Sequence, residues 1–302
     1  MYARLMAKAR LRHLQLLVAV ADQGNLRRAA EEVGLSQPAA TQALAEIEHL
    51  LESPLFERHA KGMRLTADGA VLMPVIRNVL GALQASTDAL ATLHDGARGQ
   101  LRVGAITAVA SAMLGERVLR FCARHPEMQV ELIEDYGAHL LQELQSGRLD
   151  IVLGRRPLPM PIKMHFEPLR PDTAIVVAGL GHPLAGRAGL VLADLAEFPW
   201  MRPSRGVWAR EVFDALFDGR RPAPRLHQLS TASLAPLPEI LRDRQTLALL
   251  PSSLGRSLCR WNVATELDVT LDMPRGELGV ICATESLQDP VYLEFIAALR
   301  AP

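Results

Sequence analysis

Two groups of residues have the types and spacing to do chemistry. The first lies in "GLSQPAATQALAEIE", residues 34–48. Ser36 and Pro38 suit a helix start: a serine oxygen can take a first-turn N–H, and proline has none to leave unpaired. Gln37, Thr41 and Gln42 follow within the first two turns. Amides and a hydroxyl so placed match base edges in a major groove. Glutamine pairs with adenine, threonine bonds either way or touches the thymine methyl, and Pro38 offers an apolar contact. The alternative is an ordinary helical corner in a core.

The second group is cationic. Arg58, Lys61 and Arg64 stand with His59 around a turn that contains Gly62. A hairpin wing touching phosphate needs this arrangement, and a solvated hairpin tip is the alternative. Arg4, Lys8, Arg10 and Arg12 precede the first helix, and Arg27 and Arg28 open the second. Glu31, Glu32, Glu46, Glu48, Glu52 and Glu57 offset most of that charge. Any DNA-facing surface must therefore be segregated from an acidic one.

Other chemistries lack their residues. No nucleophile elbow, P-loop or GxGxxG follows a strand, and His and carboxylates show no metal spacing, so neither an enzyme nor a bound cofactor is expected. Cys122, Cys259 and Cys282 are too far apart for a metal or redox pair and read as buried free thiols. The 33 basic and 33 acidic residues cancel over 302 residues. The N-terminal apolar run is broken by Arg12, His13 and Gln15, a poor signal peptide. No uninterrupted apolar segment approaches the ~20 residues of a membrane span. The expected location is the cytoplasm, with no membrane partner.

These groups need a scaffold. Leu14, Leu17, Val18 and Ala21 repeat at helical spacing over 11–21, and Asn25 can cap a second helix running to Val33. Gly34 ends that helix and Ser36 caps the third, whose apolar stripe is Ala40, Leu44, Ile47 and Leu51. Short apolar runs at Leu55-Phe56 and Met63-Leu65 form the hairpin. Thr66 can cap a helix of ~40 Å carrying Leu72, Ile76, Val79, Leu83, Leu90 and Leu93. Pro74 falls inside it. "HDGARG" then reads as a linker. From residue 100 strands and helices alternate, which implies right-handed βαβ units and a parallel sheet.

The span "LRHLQLLVAVADQGNLRRAAEEVGLSQPAATQALAEIEHLLESPLFERHAKGMRLTADGAVL" resembles the N-terminal domain of LysR-type transcriptional regulators. "RRAAEEVGLSQPA", "EIE", "PLFER" and "LTADG" carry the likeness. It continues through "GQLRVGA", "RHPEMQVEL", "LQSGRLDIVLG" and "HPLA", so it spans essentially the whole chain. The chain departs from the family where Gln42 stands in place of a frequent arginine, and at "AMLGERVL", where many relatives carry a proline.

The resemblance implies a winged helix-turn-helix domain over 1–66, rich in α-helix, and a linker and dimerisation helix over 67–94. It implies an α/β effector domain over 95–302, built like a type 2 periplasmic binding protein. Subdomain I would be about 100–165 plus 268–302, and subdomain II about 170–262, with crossings near 164–170 and 262–270. A transport binding protein would share the effector half but not the DNA-binding half. The implied function is ligand-responsive, sequence-specific transcriptional regulation. Arg27, Ser36, Gln37, Pro38, Thr41, Gln42, Arg58, Lys61 and Arg64 would then face double-stranded DNA at an inverted-repeat operator. A homodimer or homotetramer is implied, with RNA polymerase a candidate further partner.

In such a domain ligands bind at strand C-terminal ends and helix N-termini, where free N–H groups attract anions. Thr107, Tyr136, His139, Ser204, Arg205, Ser230 and Thr231 sit at such places. Hydroxyls with one arginine suit a small organic acid, and plain helix capping is the alternative for each hydroxyl.

Overall fold

The computed structural model describes residues 8–59, 62–94, 99–219, 223–271, 273 and 275–300. They form two compact units: Met1–Gly96 with Gln142–Leu149, and Ala97–Leu141 with Asp150–Pro302.

The first unit opens with α1 (Leu11–Gln23), α2 (Leu26–Glu32) and α3 (Gln37–Leu51). Local chemistry sets each boundary. The Asn25 side-chain oxygen accepts the N–H groups of Arg27 and Arg28 at 2.9 and 3.2 Å, capping α2. Gly34 takes φ +67 after α2, a conformation cheap only for glycine. The Ser36 oxygen accepts the Ala39 N–H at 3.4 Å, with Pro38 in the first turn of α3. Leu16, Leu17 and Val20 of α1 pack on Ala29 and Ala30 of α2 and on Ala40, Leu44 and Ile47 of α3.

The hairpin pairs β1 (Phe56–His59) antiparallel with β2 (Gly62–Leu65), Glu57 opposite Arg64. The Met63 N–H donates to the Gly24 carbonyl at 2.8 Å, tying the wing to the end of α1. Thr66 caps α4 (Ala67–His94), its oxygen accepting the Gly69 N–H at 3.0 Å. The helix continues through Pro74.

The apolar residues of α4 do not form the one stripe read from the sequence. Met73 and Ile76 are buried, and Leu72 and Leu80 partly so, in the core of the winged domain. Val71, Val75, Val79 and Leu83 are 77, 55, 45 and 44% exposed. Leu72 and Ile76 thus belong to an inner face and Val79 and Leu83 to an outer one. The start of α4 is part of the winged domain's core, not a separate linker.

In the second unit, one sheet has the order β4-β3-β5-β11-β6 and another β10-β7-β9-β8. The first contains β3 (Gly99–Ala105), β4 (Met128–Glu134), β5 (Ile151–Arg155), β6 (Met164–Asp172) and β11 (Gly276–Ala283). The second contains β7 (Ala174–Gly179), β8 (Trp200–Met201), β9 (Leu247–Pro251) and β10 (Ala264–Glu266). After β3 come α5 (Thr107–Val109), a π-helical turn over Ala110–Leu114, and α6 (Gly115–Arg124). That turn falls in the "AMLGERVL" region where the sequence departs from the family. The remaining helices are α7 (Gly137–Gln145), α8 (Trp208–Phe217), α9 (Leu237–Leu241), α10 (Ser252–Arg260) and α11 (Pro290–Arg300).

The sheets are mixed, so the parallel-sheet expectation holds only in part. β3 is parallel to β4 and β5, but β11 runs antiparallel to β5 and β6, and β7 antiparallel to β9 and β10.

The crossings also move. β6 stays in the first sheet through Asp172, because its ladder with β11 extends that far. The first crossing is therefore at Thr173, later than 164–170. The Thr270 N–H donates to the Leu190 carbonyl at 3.2 Å, keeping that stretch with the second sheet, and β11 begins at Gly276. The second crossing thus lies between 270 and 276, not near 262–270. Apolar cores fill each half: Val103, Ile151, Val280 and Phe295 in one, and Val176, Trp200, Phe213 and Leu249 in the other.

Candidate functional site

Helix α3 divides cleanly. Ala40, Leu44, Ile47 and Leu51 are buried, while Gln37, Pro38, Thr41 and Gln42 are exposed beside the capping Ser36. The Thr41 hydroxyl donates to the Gln37 carbonyl at 3.0 Å. Its proton is thereby occupied and its lone pairs are left to accept, which suits an exocyclic amino group on a base.

Two side chains that the sequence did not single out for the purpose position this helix. Arg12 donates from Nε to the Val33 carbonyl at 3.1 Å and from Nη2 to the Gly34 carbonyl at 2.9 Å. It satisfies the C-terminal carbonyls of α2 and locks the turn, so its charge is used internally. Glu48 accepts the N–H groups of Leu55 and Phe56 at 2.7 and 3.2 Å, fixing the wing against the far end of α3.

Arg58 and Arg64 are exposed on the two hairpin strands. His59 lies 3.3 Å from Glu57. Arg27 is exposed on α2 and 3.9 Å from Glu31, one turn on. Lys61 lies outside the described residues.

Short contacts link several of the candidate effector residues, or the segments that carry them, in the second unit. The Thr107 hydroxyl, at the start of α5, donates to Glu134 at 2.6 Å. Asp135 and Tyr136 follow directly. Asp135 accepts the Tyr136 N–H at 2.6 Å and pairs with His139 at 2.7 Å. These bonds hold the Asp135 carboxyl below its usual range, the Tyr136 N–H contributing most. The Tyr136 ring lies 3.9 Å from where a Cβ on Gly206 would stand, so it borders the "RPSRGVW" segment. The Ser230 hydroxyl donates to the Arg202 carbonyl at 2.8 Å, holding the 230–231 segment to the same stretch.

Three of these hydroxyls, on Thr107, Ser230 and Thr231, already make local hydrogen bonds. Thr231 accepts the Ser233 N–H at 3.0 Å, a local turn, and Thr107 faces a carboxylate. Glu134 went unnoticed in the sequence because nothing local marks it as Thr107's partner. Arg205 is exposed and forms no hydrogen bond or ion pair among the described residues. Among the described residues no His, Cys, Asp or Glu cluster could hold a metal. No described helix is long and apolar enough to cross a membrane.

A DNA-reading corner with a wing, followed by a two-sheet ligand-binding unit, defines a class of regulator. Residues 11–70 match the family model "Bacterial regulatory helix-turn-helix protein, lysR family". Residues 94–301 match "LysR substrate binding domain". The chain belongs to the LysR family, whose members are transcriptional regulators and not enzymes. It is 30% identical over 300 residues to the HTH-type transcriptional regulator GbpR of Azospirillum brasilense, covering 98% of this chain and 87% of that one. It is 35% identical to the small neutral protease regulatory protein of Streptomyces coelicolor over 78% of this chain and 77% of the other. The fold matches full-length CbnR in complex with its target DNA, with a TM-score of 0.61 and 22% identity over 96% of this chain and 99% of that one.

Proposed function

We propose that this ligand-responsive regulator grips an inverted-repeat operator as a homodimer and answers to a small carboxylate. Gln37, Pro38, Thr41, Gln42 and the Ser36 corner read bases, and Arg27, Arg58, Lys61 and Arg64 contact phosphate. The exposed side of α4 pairs two chains.

Arg205 carries the effector reading. It precedes Gly206, which borders Tyr136, on the segment whose Arg202 carbonyl holds Ser230, and no internal carboxylate consumes it among the described residues. An incoming carboxylate would form a charge-assisted bond there. Glu134 beside Thr107 disfavours a second negative charge on the ligand, so a monoacid is preferred. RNA polymerase remains a candidate partner on the family resemblance alone.

The test is a thermal-shift panel of small aliphatic and aromatic carboxylates with their uncharged amides, followed by calorimetry of the best acid on Arg205→Ala. We expect acids, not amides, to raise the melting temperature, and Arg205→Ala to lose about tenfold or more in affinity. Amides acting as well as acids, or unchanged affinity in Arg205→Ala, would overturn the reading.

A further inference from the structure

A polar cluster where the two sheets of the second unit meet lies outside the residues assigned to DNA or effector. Arg155 ends β5. Its guanidinium carbon stands 3.7 Å from the centroid of the Trp208 ring. Its Nη2 is ion-paired with Asp172, whose side chain is fully buried. Asp172 ends β6, and its other oxygen accepts the Ser252 hydroxyl at 2.7 Å and the Ser253 N–H at 2.9 Å. The Ser252 N–H donates to the Thr173 carbonyl at 2.6 Å.

These bonds divide into two kinds. Asp172, Thr173, Ser252 and Ser253 are joined at the point where the chain changes sheets. A rotation of one half against the other about this point would leave those bonds nearly in place. Arg155 and Trp208 instead join the end of a first-sheet strand to the first residue of α8, whose Val212 and Phe213 pack in the second half's core. The same rotation would move the guanidinium relative to the ring.

The stacked state is also not a deep trap. Arg155 Nη1 is buried and has no hydrogen-bond partner among the described residues. Burial lowers the affinity of the guanidinium for its proton, and Asp172 offsets that only in part. A cation desolvated in this way gains water when the ring departs, against the loss of the cation–π contact. Two such opposed terms keep both orientations within reach of a ligand's differential affinity.

We propose that Arg155 stacked on Trp208 is a latch between the two halves of the effector domain, released and re-formed as an effector changes their orientation. Trp208 lies three residues beyond Arg205 on one segment, so a ligand held at Ser204 and Arg205 bears on the ring's own backbone. The link to regulation rests on the effector reading above; the latch itself does not.

The test uses full-length protein with Ala215→Cys on α8 and Ala297→Cys on α11, both exposed. The free Cys122, Cys259 and Cys282 are first replaced by serine or alanine in the parent and in every variant, so that only the two introduced cysteines carry spin labels, and the labelled chain is diluted into unlabelled chain. Arg155→Lys keeps the charge facing Asp172 but lacks the planar face that stacks. Trp208→Leu removes the ring at a half-buried position and keeps the test alive if the arginine variant fails to fold. Each change should displace or broaden the distance distribution measured by pulsed EPR, and the double variant should add nothing further, because one contact is being removed. Distributions identical to the parent in both single variants would overturn the latch. Operator affinity without added ligand, measured on the same proteins, separates the two layers. Displaced distances with unchanged affinity would fault the regulatory reading and not the latch.

Discussion

Thr41 illustrates what a single residue tells. Its place beside Gln37 was visible from spacing, but the direction of its hydrogen bond was not, because that depends on which backbone carbonyl the helix brings within reach. With its proton spent on Gln37, Thr41 should favour operators that present an amino group. We expect Gln37→Ala and Thr41→Ala each to weaken operator binding by roughly 1–3 kcal/mol and to leave binding to random duplex nearly unchanged. Arg64→Ala should weaken both and reduce the salt slope by about one. Fluorescence anisotropy on operator and random duplexes across a salt series checks all three. Parent-like discrimination in the α3 variants would remove that helix from the groove. Capping residues such as Asn25, Ser36 and Thr66 were legible because each acts within three residues of itself. Arg12 and Glu48 were not, since their partners lie 21–22 and 7–8 residues away.

At the scale of elements, α4 shows where periodicity stops being informative. Apolar residues at positions 71, 72, 73, 75, 76, 79, 80 and 83 satisfy two faces at once, and only the packed structure separates them. The inner face closes the winged domain's core. The outer face, Val71, Val75, Val79 and Leu83, is exposed in one chain at four-residue spacing, which is how a pairing seam looks before its partner arrives. A Val75→Asp, Val79→Asp double variant should keep its circular dichroism and thermal transition but sediment as a monomer at micromolar concentration. Ile76→Asp should instead lower the melting temperature, by burying an unpaired charge in the core. A double variant that still sediments like the parent would place the dimer seam elsewhere. The crossings between sheets were misplaced for a related reason. A strand that continues past its expected end carries no local mark, and here the end of β6 is set by Asp172 meeting Ser252 and Ser253, 80 and 81 residues away.

For the whole molecule, the order of elements and the two-part organisation were legible because "GLSQPA", "PLFER" and "LTADG" encode caps and turns whose physics is local. What the sequence held back is what arises between distant segments: the meeting of Tyr136 with Gly206, Thr107 with Glu134, and Arg155 with Trp208. These contacts set the charge a ligand meets and the orientation it must change. Above all, two chains are expected to read a two-armed site. Selection of bound sequences from random duplexes by the full-length protein, followed by titration of the enriched site and of one isolated arm, tests it most directly. We expect an inverted repeat bound by two chains, with the isolated arm weaker by about a hundredfold. A single unpaired site bound by one chain with full affinity, or no enrichment over bulk DNA, would contradict it.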